Sequence, residues 1–276
     1  MFERRVLRDG EAELTVVPER GAIVTSVKLR GEELLYLDEA TLADPAKNVR
    51  GGIPVLFPVA GKLPNGGYEI AGRRYELPQH GFARNRAWTV KEQSESSLSM
   101  TLASDDATRK VFPFEFEARI TVAIQGGDKP QARIALSVRN TGAAPLPFQA
   151  GFHPYFLVPD RAKKDARVET VATRAFDNRT GKSGPLATID FTAPEVDLHL
   201  EDHDEPKTTL SRGEGRAPIR LNWSANARRM VLWTLAGKDF ICVEPWTAPG
   251  GALAAGTLPQ LASGAAAELA IRISVL

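Results

Sequence analysis

The segment Glu115-Phe116-Glu117-Ala118-Arg119-Ile120-Thr121-Val122-Ala123-Ile124 decides the fold of this 276-residue chain. Apolar and polar residues alternate along it, so one side of the segment faces a core and the other faces solvent. A turn sequence rich in glycine follows at residues 126–130, and Ile134, Leu136 and Val138 repeat the alternation. Glycine tolerates positive φ and proline presets a bend, so the two runs predict a β-hairpin.

The same period of two recurs elsewhere in the chain. Apolar residues alternate with others over 269–275, and residues 68–75 indicate a strand, a tight turn and a second strand. No segment keeps the apolar spacing of an amphipathic helix over three turns. Neither a linker nor an internal repeat divides the sequence. We therefore expect an all-β protein, a large antiparallel β-sandwich built as one domain over residues 1–276.

Composition narrows the class of ligand. The chain has 35 basic and 34 acidic side chains without a block of like charge, so we expect no nucleic-acid or membrane partner, and a small, nearly neutral ligand. The single cysteine, Cys242, lies among apolar neighbours, which predicts a buried structural thiol and is compatible with a reducing compartment. The N-terminal sequence is polar and no apolar run is long enough to span a membrane, so we expect a cytoplasmic protein.

The sequence predicts structural roles for one acidic segment and for three of the four tryptophans. Residues 197–216 are rich in Asp, Glu, His and Gly, and they predict an exposed loop with His199 and His203 in solvent. A place at the mouth of a pocket stays open for this segment, and for His203 within it. The strand-like apolar surroundings of Trp88, Trp223 and Trp233 predict that these three indoles belong to the core.

Two of the four histidines stand in unusual surroundings. His80 lies in Leu77-Pro78-Gln79-His80-Gly81-Phe82-Ala83-Arg84, and His153 lies in Gly151-Phe152-His153-Pro154-Tyr155-Phe156. Imidazole, with an ordinary pKa of about 6.5, exchanges protons near neutrality. Glycines and aromatic rings around it are typical of a proton-transfer site that binds a sugar. A packing role for either histidine alone stays open, because chemistry needs convergent partners.

A carboxylate and a guanidinium extend this set. Glu244 lies in the apolar run Phe240-Ile241-Cys242-Val243-Glu244-Pro245-Trp246, where loss of solvent raises a carboxyl pKa and makes it a stronger base near neutrality. The indole face of Trp246 suits the C–H face of a pyranose. Arg50, directly before Gly51-Gly52, offers a fork of donors to hydroxyl or phosphate oxygens, although a surface arginine beside a turn is an equal reading.

Four segments together resemble the aldose 1-epimerases, also called galactose mutarotases. They are residues 50–58 (RGGIPVLFP), 77–84 (LPQHGFAR), 151–156 (GFHPYF) and 242–246 (CVEPW), which stand in the family's order and span nearly the whole chain. The resemblance implies the galactose mutarotase-like β-supersandwich fold.

The resemblance also implies a role for each residue. His153 matches the general acid toward the ring oxygen, Glu244 matches the general base on the anomeric hydroxyl, His80 binds and polarises the sugar, and Arg50 contacts sugar or phosphate oxygens. Opening a hemiacetal needs one proton delivered to O5 and another withdrawn from O1. We expect the acid and the base on opposite sides of the breaking bond, across a cavity one pyranose wide, with no cofactor or metal.

The sequence departs from the galactose-specific members around a sugar-binding aspartate. We take Asp202 as this substrate-binding residue, with Asp177 as its competitor. The sequence of residues 79–84 (QHGFAR) is closer to that of the hexose-6-phosphate mutarotases, whose phosphate-binding arginines match Arg50 and Arg84. The expected partner is thus an aldohexose, free or phosphorylated, bound by a monomer or a homodimer.

Three other classes of function stay open at this point. A sugar-binding module without activity would use the same Arg, His and Trp side chains. A metal enzyme could use His80, His153 and Glu244 as ligands. A glycosidase needs two carboxylates beside the scissile bond, and only Glu244 has a suitable setting.

Overall fold

Antiparallel strands make up most of the computed structural model, which describes residues 2–276; Met1 lies outside the described residues. In chain order the strands are β1 Arg5–Asp9, β2 Ala12–Val17, β3 Ile23–Leu29, β4 Glu32–Glu33, β5 Val55–Leu56, β6 Gly67–Ile70, β7 Arg73–Glu76, β8 Thr89–Gln93, β9 Ser97–Ala103, β10 Phe116–Gln125, β11 Gln131–Asn140, β12 Leu146–Pro147, β13 Gly151–Phe152, β14 Tyr155–Leu157, β15 Arg167–Val168, β16 Arg174–Asp177, β17 Lys182–Pro185, β18 Glu195–Leu200, β19 Lys207–Ser211, β20 Ile219–Trp223, β21 Arg229–Leu235, β22 Phe240–Trp246, β23 Gln260–Leu261 and β24 Ala266–Val275.

Helical structure is confined to short connections. The α-helices are α1 Glu39–Ala43 and α2 Asp106–Val111, and the 3₁₀ segments are Pro18–Arg20, Pro64–Gly66, Ala83–Asn85 and Asp160–Asp165. Within residues 2–276 none of these helices has the length and apolarity needed to cross a membrane.

Two eight-stranded sheets dominate the architecture. The first runs in the order β15-β19-β20-β24-β11-β10-β9-β8, and the second in the order β17-β16-β18-β21-β22-β13-β5 with β14 also paired to β22. Smaller sheets are β1-β2-β3-β4, β12-β23 and β6-β7. Residues of both large sheets, such as Ile134 and Ile271 of the first and Phe152 and Leu232 of the second, share one buried cluster. The all-β sandwich is confirmed.

The hairpin predicted over residues 115–138 has the expected form. Buried and half-buried residues alternate along β10, and β10 pairs with β11 up to Gln125 opposite Gln131. A Cβ on Gly126 would lie 2.2 Å from the carbonyl oxygen of Asp9, so only glycine fits the turn. The turn between β6 and β7 uses Ala71 and Gly72, both with positive φ, as a two-residue hairpin loop requires.

The prediction of an exposed loop over residues 197–216 is wrong. This segment contains most of β18 and all of β19. One face of β18 carries the apolar Val196, Leu198 and Leu200, and the other face carries the polar Glu195, Asp197 and His199. Those polar side chains face a cavity rather than bulk solvent, and a cavity-lining strand has the same polar composition as a loop.

Candidate active site

A cavity of about 760 Å³ lies over one face of the second large sheet. Strand β18 and strand β22 contribute its floor, and the segments around residues 48–50, 61–64 and 79–84 contribute its walls. Its polar and aromatic lining includes Asn48, Arg50, Lys62, Gln79, His80, Arg84, His153, Tyr155, Asp197, His199, Trp233, Glu244 and Trp246. Six of the seven residues selected from the sequence therefore line one cavity, and Asp202 does not.

Strand register explains which side chains meet on the floor. His199 of β18 pairs with Val231 of β21, and Val231 pairs with Glu244 of β22. Residues that pair across antiparallel strands point to the same face of a sheet. These three side chains therefore form one row across the sheet.

The same register brings His153 to Glu244. Gly151 pairs with Trp246 and Tyr155 pairs with Cys242, so His153 comes opposite Glu244. The Nε2 atom of His153 lies 3.2 Å from Oε1 of Glu244. The expectation of two groups on opposite sides of a pyranose is corrected: they are in contact, because neighbouring strands hold them.

Burial sets the proton affinity of this pair. Loss of solvent lowers the pKa of His153 to about 3, and the positive charges of Arg84 and Arg50 act in the same direction. Loss of solvent also raises the pKa of Glu244 well above its usual range, and the negative charge of Asp197 adds to this. Both shifts favour the neutral forms, so the pair holds its one proton on Glu244 beside a neutral imidazole.

Trp246 supports Glu244 rather than offering a platform to a sugar. Its Nε1 donates a hydrogen bond to Oε2 of Glu244 at 3.2 Å, and the residue is only 2% exposed. The rings of His80 and His199 pack against its indole at centroid distances of 5.7 and 5.1 Å. The expected stacking role of Trp246 is therefore corrected, because neighbouring side chains cover its ring.

Trp233 is the more exposed indole of the cavity. It is half-buried and lines the cavity, so its assignment to the core was wrong. The guanidinium of Arg50 lies 5.9 Å from its ring, and its Nε1 donates to Oε1 of Glu195 at 3.1 Å. Trp88 and Trp223 are buried as predicted.

The backbone around His80 fixes the tautomer of its ring. His80 adopts a φ of 67°, and its backbone N–H donates to the carbonyl of Gly61. The backbone N–H of Gly61 in turn donates to Nδ1 of His80 at 3.1 Å. Because Nδ1 accepts a hydrogen bond, the ring proton lies on Nε2. Burial lowers the pKa of His80 well below its ordinary value, so the ring stays neutral.

A buried arginine organises the loop that carries Arg50. Arg20 is 4% exposed and its guanidinium donates to four carbonyl oxygens, those of Thr41, Leu42, Asp44 and Lys47. Beyond this loop, the Cβ of any other residue at position 52 would lie 2.3 Å from the carbonyl of Val24. The chain before β5 is therefore tightly held, and Arg50 extends from it as an exposed side chain.

Asp202 has a structural role in place of the expected sugar contact. Its carboxylate accepts hydrogen bonds from the backbone N–H groups of Thr173 and Arg174. The competitor Asp177 lines a separate cavity of about 370 Å³. The aspartate that lines the main cavity is Asp197. Alternation of Glu195, Asp197, His199 and Glu201 along one strand face was the signal that could have identified it.

Two further histidine predictions are wrong. His199 belongs to β18 and lines the cavity, and His203 is buried, with hydrogen bonds to Thr170 and to the carbonyl of Lys207. His203 does not line the cavity. The sequence predicted solvent exposure at both positions because acidic residues surround them.

The metal-ligand set suggested by the sequence differs from the grouping in the fold. Within residues 2–276, the ligand atoms of His153, Cys242 and Glu244 lie within 4.8 Å of one another, and His80 is not part of this group. Cys242 is buried, as predicted, and burial raises the pKa of its thiol well above the usual value. A protonated thiol is a poor metal ligand.

Comparisons with known proteins agree with this geometry. The family model described as "Aldose 1-epimerase" matches residues 4–256. A protein of Cenchrus ciliaris named "Putative glucose-6-phosphate 1-epimerase" is 30% identical over 271 residues, which cover 88% of this chain and 78% of that protein.

Solved structures share the fold over the whole chain. The Slr1438 protein of Synechocystis sp. PCC 6803 has a TM-score of 0.94 at 34% identity and covers 100% of this chain and 96% of its own. A galactose mutarotase-like protein of Lactobacillus casei has a TM-score of 0.81 at 22% identity, covering 99% and 100%. The match of the family model over most of the length shows that this chain belongs to the aldose 1-epimerase family of isomerases.

Proposed function

We propose that the protein interconverts the α and β anomers of an aldohexose, with His153 and Glu244 as its acid and base. The observation that carries this proposal is the 3.2 Å contact between Nε2 of His153 and Oε1 of Glu244 on the cavity floor. O1 and O5 of a hemiacetal are both bonded to C1, so two side chains in contact with each other can reach both oxygens. Adjacent placement suits the reaction as well as opposite placement does.

One proton on the pair is enough for the complete reaction. In ring opening the shared proton first moves from the carboxyl group of Glu244 to Nε2 of His153 across their 3.2 Å contact. The imidazolium then gives this proton to O5, the C1–O5 bond breaks, and the carboxylate of Glu244 takes the proton of O1. After rotation about the C1–C2 bond, the carboxyl group protonates the carbonyl oxygen while the imidazole takes the proton of the O5 hydroxyl. The ring closes on the other face of C1, and the pair returns to its starting state.

His80 assists as a neutral donor. Its Nδ1 accepts the N–H of Gly61, so Nε2 carries the ring proton and the imidazole adds no charge to the cavity. The side-chain amide of Gln79 lies 3.2 Å from Nε2, and a substrate oxygen takes the place of this amide when the sugar binds. Hydrogen bonds aimed at an oxygen that gains negative charge favour the transition state over the bound sugar.

We infer that the substrate is phosphorylated, with an aldohexose 6-phosphate as the best candidate. Arg50, Lys62 and Arg84 line the walls of the cavity, whereas its acidic residues, Glu195, Asp197, Glu201 and Glu244, line the floor. The cationic walls can therefore bind a phosphate group. The name of the Cenchrus ciliaris relative points to the same substrate. A free aldohexose would use the same acid and base with weaker binding.

We further propose that one domain performs this reaction in the cytoplasm, as a monomer or a homodimer. The free Cys242 is compatible with a reducing compartment.

The test measures how fast pure α-D-glucose 6-phosphate and pure α-D-glucose reach anomeric equilibrium, by polarimetry. We expect wild-type protein to accelerate both and to favour the phosphate, and Glu244→Gln to lose about 10²- to 10⁴-fold in rate while still binding the sugar in calorimetry. Arg50→Gln should raise KM more for the phosphate than for free glucose. Binding of both sugars without any acceleration would overturn the proposal in favour of a sugar-binding module.

A further inference from the structure

Gln149 is a buried amide directly behind the wall of the cavity. It is 0% exposed, it does not line the cavity, and the acid–base chemistry of His153 and Glu244 gives it no task. Its Nε2 lies 3.3 Å from the carbonyl oxygen of Ala60, 3.0 Å from that of Ala248 and 3.1 Å from that of Pro249. One amide group therefore holds two segments that are distant in sequence, and both segments continue into the lining of the cavity.

The surroundings of Gln149 allow its amide only one orientation. Three carbonyl oxygens surround Nε2, and a carbonyl oxygen accepts hydrogen bonds but cannot donate them. The amide oxygen, Oε1, is buried without a hydrogen-bond partner among residues 2–276. Such an acceptor costs about 1 to 3 kcal/mol. This cost is offset on the donor side, where one nitrogen binds three backbone groups, so the amide has a fixed direction.

The carbonyl group of Ala60 belongs to the same peptide as the N–H of Gly61. That N–H donates to Nδ1 of His80 at 3.1 Å. The C=O and N–H of a trans peptide point in opposite directions in one plane. The peptide therefore connects Gln149 on one side with His80 on the other, and each of the two hydrogen bonds polarises the next.

This peptide is the part of the connection that can turn over. Its rotation changes the sign of φ at Gly61, now 87°, and glycine accepts either sign. A Cβ at position 61 would lie 3.2 Å from Cα of Gly250 and from the indole of Trp246, so a side chain that would restrict the rotation fits poorly there. The direction of the peptide thus depends on the hydrogen bonds that it makes.

The direction of the peptide decides the tautomer of His80. In the reversed direction the carbonyl oxygen of Ala60 replaces the Gly61 N–H beside Nδ1, and an acceptor at that place requires the ring proton on Nδ1. The side-chain amide of Gln79, 3.2 Å from Nε2, can present either its oxygen or its nitrogen, so it adapts to either tautomer. A backbone N–H has no such choice.

We propose that Gln149 is a positioning residue, which holds the Ala60–Gly61 peptide in the direction that keeps the ring proton of His80 on Nε2. Gln149 acts on the reaction only through this peptide. The inference rests on the proposed function, in which the Nε2–H of His80 donates to the sugar. Loss of the Gln149 donor removes this Nε2–H from a fraction of the molecules without changing any residue that lines the cavity.

The experiment measures the tautomer and the activity separately. Gln149→Met keeps the length of the side chain but removes the donor. In protein that contains isotope-labelled histidine, proton–nitrogen correlation spectra report which ring nitrogen of His80 carries the proton, and His80→Gln identifies its signals. We expect Nε2–H alone in wild type and a mixture of both tautomers in Gln149→Met. In polarimetry with glucose 6-phosphate, kcat of Gln149→Met should fall by about 3- to 10-fold with a smaller change in KM.

Asn140→Leu is the matched control. Asn140 is 1% exposed and does not line the cavity, and its Nδ2 donates to the carbonyls of Ala144 and Leu261, both at 2.8 Å. Its replacement removes a buried amide donor of the same kind. It should lower Tm by an amount similar to that of Gln149→Met but leave kcat and the tautomer of His80 unchanged.

Gln149→Glu tests whether a donor restores the tautomer. Its buried carboxyl group is protonated at about pH 5 and offers one O–H to the carbonyls. We therefore expect a population of Nε2–H on His80 between those of Gln149→Met and wild type. If Gln149→Met does not fold, this variant decides, and a tautomer identical to that of wild type at all pH values contradicts the proposal.

The remaining outcomes are equally distinct. An unchanged tautomer in folded Gln149→Met, or an equal shift in Asn140→Leu, would overturn the proposal, as would a shifted tautomer without any loss of kcat. If wild type binds glucose 6-phosphate without accelerating the reaction, the proposed function fails. The spectra then still decide whether Gln149 sets the tautomer of His80.

Discussion

His153 lies in the short break between β13 and β14, opposite Glu244 of β22, and their Nε2 and Oε1 atoms are 3.2 Å apart. At this distance a proton passes from one group to the other without a large movement of the backbone. Ring opening leaves the proton on the carboxyl group, and ring closure leaves it on the imidazole. In the proposed reaction a pair with a single shared proton is therefore the working state in both directions. This affects the pH dependence of the rate, the role of the neighbouring residues and the stability of the protein.

The rate should show no acid limb at the ordinary pKa of histidine. The pair is inactive when it binds a second proton, and burial lowers the pKa of His153 to about 3. It is also inactive when it loses its one proton, and burial raises the pKa of Glu244 well above the usual range. We expect kcat/KM to stay level from pH 5 through neutrality and to fall only at higher pH. The profile should be measured between pH 5 and 9 with free glucose, because the phosphate of glucose 6-phosphate itself titrates at about pH 6. A half-loss of activity near pH 6.5 on the acid side would contradict the prediction.

Trp246→Phe tests whether the indole N–H tunes the base. Nε1 of Trp246 donates to Oε2 of Glu244, which favours the ionised carboxylate. Loss of this hydrogen bond should raise the pKa of Glu244 further and move the alkaline limb to higher pH. We expect kcat to fall by about 3- to 10-fold with a smaller change in KM.

A purely structural role for Trp246 would lower activity without moving the alkaline limb. The control is Trp223→Phe, since Trp223 is buried but does not line the cavity. It should leave the position of the limb unchanged.

The fold and the candidate site could be predicted from the sequence to different extents. The alternation of apolar and other residues along β10 and β24 predicted strands correctly, because one face of each strand is buried in the core. The role of Asp197 was missed because a strand that faces a cavity has the composition of a solvated loop. The predicted environments of Trp233 and Trp246 were the wrong way round, because both residues lie in apolar strands that look alike in the sequence. The rings that cover Trp246 belong to His80 and His199, which are distant from it in sequence.

Glu244→Gln should make the protein more stable at neutral pH. Folding raises the pKa of the Glu244 carboxyl group, so this group favours the folded state most at low pH. Its contribution to the free energy of unfolding is lost as the pH rises from the pKa of the unfolded chain toward the pKa of the folded protein. Glutamine has no such dependence and keeps a similar shape. We expect the variant to gain about 1 to 2 kcal/mol at pH 7.5, or roughly 2 to 6 °C in Tm.

The difference in Tm between Glu244→Gln and wild type should shrink toward pH 4.5, and calorimetry at both pH values measures it. Glu268→Gln, which removes one partner of an exposed ion pair with Arg133, should change stability by less than about 0.5 kcal/mol. A variant less stable than wild type at both pH values would show that the carboxylate is held by stabilising contacts.

Arg20→Met should loosen the loop that carries Asn48 and Arg50 to the cavity. The change leaves four carbonyl oxygens without the guanidinium that now binds them. Buried acceptors without a partner are costly, so we expect a loss of about 3 kcal/mol and a fall in Tm of roughly 6 to 10 °C. Because Arg50 would then have no fixed position, KM for glucose 6-phosphate should rise several-fold while kcat changes little, since His153 and Glu244 lie on other elements.

Arg20→Lys is the matched variant: one ammonium group has three donors and no fork, so it should recover part of the stability but little of the low KM. An unchanged KM in Arg20→Met, measured well below its Tm, would mean that the loop does not position Arg50 for the substrate.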